Sequence, residues 1–445
     1  MSFSLLHPRE QLAVIMGRIY SQELTTLTGG NLSILDEAGD LWITPSGIDK
    51  GSLRPQDIMC VRSALSAGAD AIIEGPHRPS SELPFHTAIY CRRPDLRAIV
   101  HAHSRALVTF SMLRAVPDTR ALPQAYAVCG PVGYAPYAMM SSDQLAVNVA
   151  AVFAEGYDAA LFENHSGATG GADLLQAFQR FETLDFCART IIQACGLSQG
   201  AGLGAVHPLD EKQLARLDRL DDLPEFTPTE QSSRERELRQ QVVEIVHRAY
   251  DRCLMTSTQG VVSARVGPDR FLITPTAMDR RAIGLADVVL VSEGRREAGK
   301  QPTRGARLHR ALYRRHPEIG SVISAQAPHI TAYGLVPQPF DTKTIPESYV
   351  ILRHLGKIDF EAYARGLLGD APDAVAARLS PRTPALIVEH DGLLTTGATI
   401  LQAFDRLEIA EYSAQSLIDI TAKVGHWTPL EEPRLRELEA GFGLE

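Results

Sequence analysis

The chain has 445 residues, with 44 Lys and Arg against 53 Asp and Glu, a net charge of −9 and 44% hydrophobic residues. That composition excludes a generally disordered or fibrous chain. It also excludes the strong basic surplus of a duplex nucleic-acid binder, and the length allows two or three domains.

In chain order, residues 9–24 carry helical apolar spacing at Leu12, Ile15, Ile19 and Tyr20. LWIT (41–44) reads as a short strand. SELPFHTAIYCRR (81–93) reads as a helix with Ser80 or Ser81 as N-cap. AIVHAH (98–103) and ALFENH (160–165) read as apolar strands with polar ends, the second before a turn SGATGG. A long helix is expected over ADLLQAFQRFETLDFCARTIIQA (172–194). Helices alternating with strands predict an α/β domain with helices packed over a sheet.

The second half repeats the first. TGGADLLQAFQRFE (169–182) matches TTGATILQAFDRLE at an offset of 226, and LWITPSGID (41–49) matches FLITPTAMD at 230. LTGGNLSI (27–34) matches STQGVVSA at the same offset, and RPDLRAIVHAHSRALVTF (93–110) matches HPEIGSVISAQAPHITAY at 223. This is a tandem duplication of a whole domain, not a solenoid of short units. Gly-rich residues 196–206, the helical DEKQLARLDRLDD and the Pro/Ser/Thr-rich DLPEFTPTEQSS (222–233) lie between the copies. They place the domains at 1–228 and 232–445.

The six cysteines are scattered with no CxxC pair, as in a reducing compartment. The N-terminus lacks the layout of a secretory signal, and no apolar run reaches the roughly 18 residues of a membrane span. A cytoplasmic protein without membrane or nucleic-acid partners is expected.

His101 and His103 sit at i and i+2 on one strand, so their imidazoles share a face, as a chelate requires. A catalytic zinc site wants about three protein ligands and one open position, and His165 is a third candidate. Glu82, at a helix start, is the candidate proton-transfer group.

These residues carry a resemblance. TGGN (28–31), ITPSG (43–47), PSSE (79–82), FHTAIY, HAH (101–103) and ENH (163–165) run in the order of the class II aldolase/adducin family, over residues 8–195. The resemblance implies two tandem αβα three-layer domains, each a central sheet flanked by helices. It implies His101, His103 and His165 as metal ligands, zinc first and manganese, cobalt or iron as alternatives. Glu82 would be the acid/base. Asn31, Ser46, Gly47, Ser80 and Ser81 would bind a substrate phosphate, and small residues in a turn and at a helix start suit a dianion. Where the family commonly has His-Gly, this chain has His165-Ser166. Tyr126 lies near the expected place of a second proton donor, but its spacing does not match.

In the second copy Ser324 and Gln326 face His101 and His103. Gly305 faces Glu82, Asp391 faces His165, and Val261 faces Asn31. Thr276 and Ala277 face Ser46 and Gly47, and Arg304 faces Ser81. No metal triad is expected there, and His309, His329 and His390 read as structural. The resemblance implies a metal-dependent lyase that cleaves a phosphorylated ketose-like sugar through a metal-stabilised enediolate. An epimerase, decarboxylase or dehydratase on the same scaffold, or a non-catalytic adducin-like interaction module, are the alternatives. The family's four-fold assemblies imply a homodimer of twice 48.5 kDa, in which live and silent domains alternate.

Overall fold

The computed structural model describes residues 3–66, 71–198, 202–216, 223–425 and 427–444. Residues 199–201 and 217–222 of the expected linker lie outside the described residues. By contacts the chain divides into two units: 1–119 with 125–189, and 120–124 with 190–445. Thus 120–124 and the segment from Thr190 onward group with the second unit.

The first unit holds an eight-stranded sheet. Its strands are β1 (Asn31–Leu35), β2 (Leu41–Ile43), β3 (Met59–Val61), β4 (Ile73–Glu74), β5 (Ala98–Ala102), β6 (Gly133–Ala135), β7 (Ala159–Phe162) and β8 (Ser166–Gly171). Their order is β4-β3-β2-β1-β5-β8-β7-β6. Every pairing is antiparallel except β6 with β7. Helix α1 (Pro8–Ser21) packs on β1. Helices α2 (Leu83–Arg92) and α3 (Asp143–Ala154) pack on each other, and Phe85, Ile89, Val149 and Phe153 close a core with Ile43, Ile99 and Phe162. Helix α4 spans Leu174–Leu197.

The second unit carries β9 (Glu225–Phe226), β10 (Val261–Gly267), β11 (Arg270–Ile273), β12 (Val289–Ser292), β13 (Arg295–Glu297), β14 (Ser321–Ala325), β15 (Leu355–Ile358), β16 (Ala385–Val388) and β17 (Gly392–Gly397). Its order, β15-β16-β17-β14-β10-β11-β12-β13-β9, is the first sheet's order read backwards with one strand added. The addition, β9, comes from the segment read as linker and pairs parallel with β13. The duplication extends to single hydrogen bonds. Thr169 Oγ1 donates to Ala177 O at 2.7 Å, and Thr395 Oγ1 to Ala403 O at 2.9 Å. Gln176 and Gln402 accept from the N–H of Ala172 and Ala398 at 2.8 and 2.7 Å, which explains why LQAF recurs.

Three local expectations need correction. The second candidate strand stops at Phe162, and Glu163 to His165 form a tight turn with Asn164 at φ 54°. SGATGG is then not a turn but strand β8, because a hairpin must return the chain to β5. Helix α2 is capped at Glu82 rather than at Ser80 or Ser81. Ser80 Oγ instead accepts from the Glu82 N–H at 3.2 Å. Of the cysteines, Cys60, Cys129 and Cys187 are buried, but Cys91 is exposed on α2. Among the described residues no helix is long and apolar enough to cross a membrane.

Candidate metal centre and active site

The sheet brings three segments together. In the antiparallel register Asn31 on β1 lies opposite His101 on β5, and His101 lies opposite Ala168 on β8. His103 follows β5, and the β7–β8 turn delivers His165. Gly30 makes the approach to β1 possible. It adopts φ +72°, and a Cβ there would lie 2.7 Å from His101 O and 2.9 Å from Ala102 Cα.

His103 Nε2 lies 3.1 Å from both His101 Nε2 and His165 Nε2, and the three ligand atoms fall within 4.8 Å of one another. Glu82 closes the group, with Oε2 3.2 Å from His101 Nε2 and Oε1 3.7 Å from His165 Nε2. His101 Nδ1 stands 2.9 Å from Gly167 O. A carbonyl can only accept, so Nδ1 carries a proton and Nε2 is the ring atom that faces the cluster. Burial, with the neighbouring imidazoles, pushes His103 down to about 3 and His165 to about 4. Burial alone would raise the Glu82 carboxyl. His101, the Asn31 amide and His165 outweigh it and hold the group well below the usual carboxylate range. Lone pairs from three rings and one carboxylate converge on a small space. They repel one another unless a proton or cation lies among them, so the donor set fits a divalent metal ion.

Ser166 is fully buried, and its Oγ donates to Ala102 O at 2.7 Å. It ties the strand leaving His165 to the strand between the other two histidines, in ordinary strand backbone.

The expected phosphate residues fall on two adjacent segments. A bridge pairs Pro45 with Pro79, Ser46 N donates to Arg78 O at 3.0 Å, and Ser80 N donates to Thr44 O at 3.2 Å. Ser46, Gly47 and Ser81 are exposed, and the Ser81 hydroxyl bonds Ser141 Oγ at 2.9 Å. Asn31 is different. It is buried, its Nδ2 donates to Glu82 Oε2 at 2.8 Å, and its Oδ1 accepts from His86 Nε2.

Sequence reasoning missed what stands behind Asn31. His86 Nδ1 accepts from Ser33 Oγ at 2.7 Å, and Ser33 Oγ accepts from the Tyr90 hydroxyl at 2.8 Å. The carboxylate fixes the Asn31 amide as donor, which fixes each later link in turn. The chain runs Tyr90, Ser33, His86, Asn31, Glu82. Burial drops His86 to about 3, so it stays neutral. The signal was present: Glu82, His86 and Tyr90 stand four apart on one helix face, and Asn31 and Ser33 two apart on one strand face.

In the second unit the inner part persists. Ser263 Oγ contacts His309 Nδ1 and the Tyr313 hydroxyl, both at 2.7 Å. Val261 lies opposite Ser324 as Asn31 lies opposite His101, so the outer part has gone. His329 is bound to Glu411 at 2.6 Å.

The chain is similar to several known proteins. The family model described as "Class II Aldolase and Adducin N-terminal domain" matches residues 10–192 and again 240–418. A 5-deoxy-D-ribulose 1-phosphate aldolase of Bacillus thuringiensis serovar kurstaki is 33% identical over 43% of this chain and 87% of its own length. A 3-oxo-tetronate 4-phosphate decarboxylase of Escherichia coli K12 is 29% identical over 41% of this chain and 85% of its own. A solved L-fuculose 1-phosphate aldolase is 31% identical, covering 47% of this chain and 92% of its own, with a TM-score of 0.41. Matched over both copies, the chain belongs to the class II aldolase and adducin family.

Proposed function

We propose that the first unit is a metal-dependent lyase that cleaves a phosphorylated ketose-like sugar reversibly in the manner of an aldol reaction. The observation that carries this reading is the convergence of the His101, His103 and His165 Nε2 atoms beside the Glu82 carboxylate. These three histidines would hold the ion, zinc first. When bound, it would supply a Lewis acid for the oxygens of the substrate. Glu82 moves the proton at the carbon beside the bond that breaks. Its Oε2 accepts from Asn31, whereas Oε1 is buried without a hydrogen-bond partner among the described residues. Oε1 is therefore the oxygen assigned to the proton. Ser46, Gly47, Ser80 and Ser81 are assigned to the phosphate. Asn31 is assigned to orienting Glu82 as well as to the substrate, because both ends of its amide are engaged.

The Bacillus thuringiensis aldolase named above acts, by its name, on 5-deoxy-D-ribulose 1-phosphate, which supports the substrate class. The decarboxylase supports a second reading, in which the same site releases carbon dioxide from a phosphorylated keto acid. The deciding experiment is elemental mass spectrometry of the full chain and of His103→Ala, with turnover assays on ketose 1-phosphates and keto-acid phosphates. About one zinc or manganese per chain, lost in the variant, with aldehyde release from a ketose phosphate, is expected. A folded wild type that takes up no ion from added zinc or manganese would overturn the reading.

A further inference from the structure

The second unit keeps a cavity of about 80 Å³ where its copy of the fold would gather the metal ligands. Val261, Gly305, Ser324, Gln326 and Asp391 line it, the counterparts of Asn31, Glu82, His101, His103 and His165. It lacks their imidazoles, yet it is not apolar. Gln259 projects into it from the position of Gly29, where a Cβ would lie 3.0 Å from His103 Nδ1. The side chain of the second copy thus occupies ground that the first copy leaves to a histidine.

Gln259 is 4% exposed, and neither its amide nitrogen nor its oxygen has a partner among the described residues. Gln326 Oε1 and Thr303 Oγ1, on residues each 6% exposed, are also unpartnered. Native proteins rarely bury such atoms without a ligand or ordered water to receive them. Two cations adjoin them. Arg280 is fixed by the carbonyls of Gly260, Pro275 and Met278, and Arg304 faces the Asp391 carboxyl. Asp391 is further engaged by Tyr363 and Gln326, and His309 is turned to Ser263. The cavity offers two guanidinium groups, each with a carboxylate near it in Asp279 or Asp391, together with N–H and O–H donors and two amide oxygens that call for hydroxyl protons.

We propose that this cavity is a second, metal-independent binding site for a short-chain hydroxylated oxyanion. The arginines and the Gln259 N–H groups meet the anionic oxygens. Gln259 Oε1 and Gln326 Oε1 accept from the ligand's hydroxyls. Phosphate and carboxylate share this chemistry, so the probes must separate them. The inference stands on the second unit alone and does not rest on the lyase reading.

The test is calorimetric titration of the full chain with inorganic phosphate, glycerol 3-phosphate and D-glycerate, run on wild type, His103→Ala, Gln259→Leu and Arg304→Gln. Saturable binding of glycerol 3-phosphate or D-glycerate is expected to survive His103→Ala and chelator. It should weaken about tenfold or more in Gln259→Leu and in Arg304→Gln. Preference for one organic probe assigns the anion, and Gln259→Leu should melt no lower than wild type because it removes an unpartnered amide. Absence of saturable binding by every probe in wild type would overturn the proposal and leave a water-filled cavity. Equal affinity in Gln259→Leu would overturn it as well. If binding stands while His103→Ala costs neither metal nor turnover, the lyase reading alone falls.

Discussion

Asn31→Val copies into the first unit the residue that stands at the same place in the second. It strips Glu82 of its amide donor and leaves the His86 Nε2–H facing a methyl group. His86 is fully buried and Asn31 is 4% exposed, so water cannot replace either bond. An orphaned buried donor costs about 1–3 kcal/mol, and a lost hydrogen bond to a charged acceptor about 1.5–3. Burying the valine methyls returns about 1 kcal/mol. The net loss is about 3 kcal/mol, which lowers the melting temperature of a unit this size by about 6–12 °C. Scanning calorimetry reads it. In a Trp427→Phe background the fluorescence of Trp42, the other tryptophan of the chain and a first-unit residue, confirms which unit moved. Catalysis should fall in kcat more than in KM, since Glu82 loses its orientation. An unchanged first-unit melting point would refute the relay.

Three further outcomes follow from the geometry. Glu82→Gln should keep the metal and lose about 10²–10⁴-fold in kcat, as removal of a proton-transfer group does; full activity would exclude it as the acid/base. Gly30→Ala should destabilise by about 3 kcal/mol, because it adds a Cβ at positive φ against the His101 carbonyl. Gly39→Ala, at φ +84° with open space around it, is the control and should cost about 1 kcal/mol in urea melts. Acid should weaken both units. His86 and His309 titrate near 3 when folded, against about 6.5 unfolded. The unfolded chain therefore takes the proton first, and stability, complete above about 6.5, falls as pH drops toward 3. Each contributes about 1.4 kcal/mol per pH unit, and urea midpoints that stay level from pH 7 to 5 would contradict this.

The reading of the sequence reached the three histidines that cluster because a strand announces its pairs. His101 and His103 are two apart, and ENH closes an apolar run. It misplaced the chain around His165 because a hairpin turn of Glu163 to His165 has none of the usual Gly or Pro markers. Helix α2 starts later than its serines suggest, since Ser80 caps Glu82 from outside the helix. The relay escaped notice for another reason. His86 stands within FHTAIY, but its role depends on Ser33 and Asn31, some fifty residues away and joined to it only by the packing of α2 on the sheet. Strand β9 was hidden in a Pro-rich stretch because two residues carry no periodicity. The replacement of the clustered histidines in the second copy was visible at single positions, but the polar cavity there was not.

The hydrogen bonds from Tyr90 to Glu82 all point the same way, and that polarity cannot be undone piecemeal. Turning the Asn31 amide over would set its N–H against the His86 N–H. The imidazole would then have to carry its proton on Nδ1, the Ser33 hydroxyl would have to swing away, and the Tyr90 phenol would have to follow. Four groups reverse together or none does. Glu82 Oε2 is thus locked as an acceptor by a phenol at the far end of the relay. On the function proposed above, the proton is left with one oxygen, Oε1, on which to come and go.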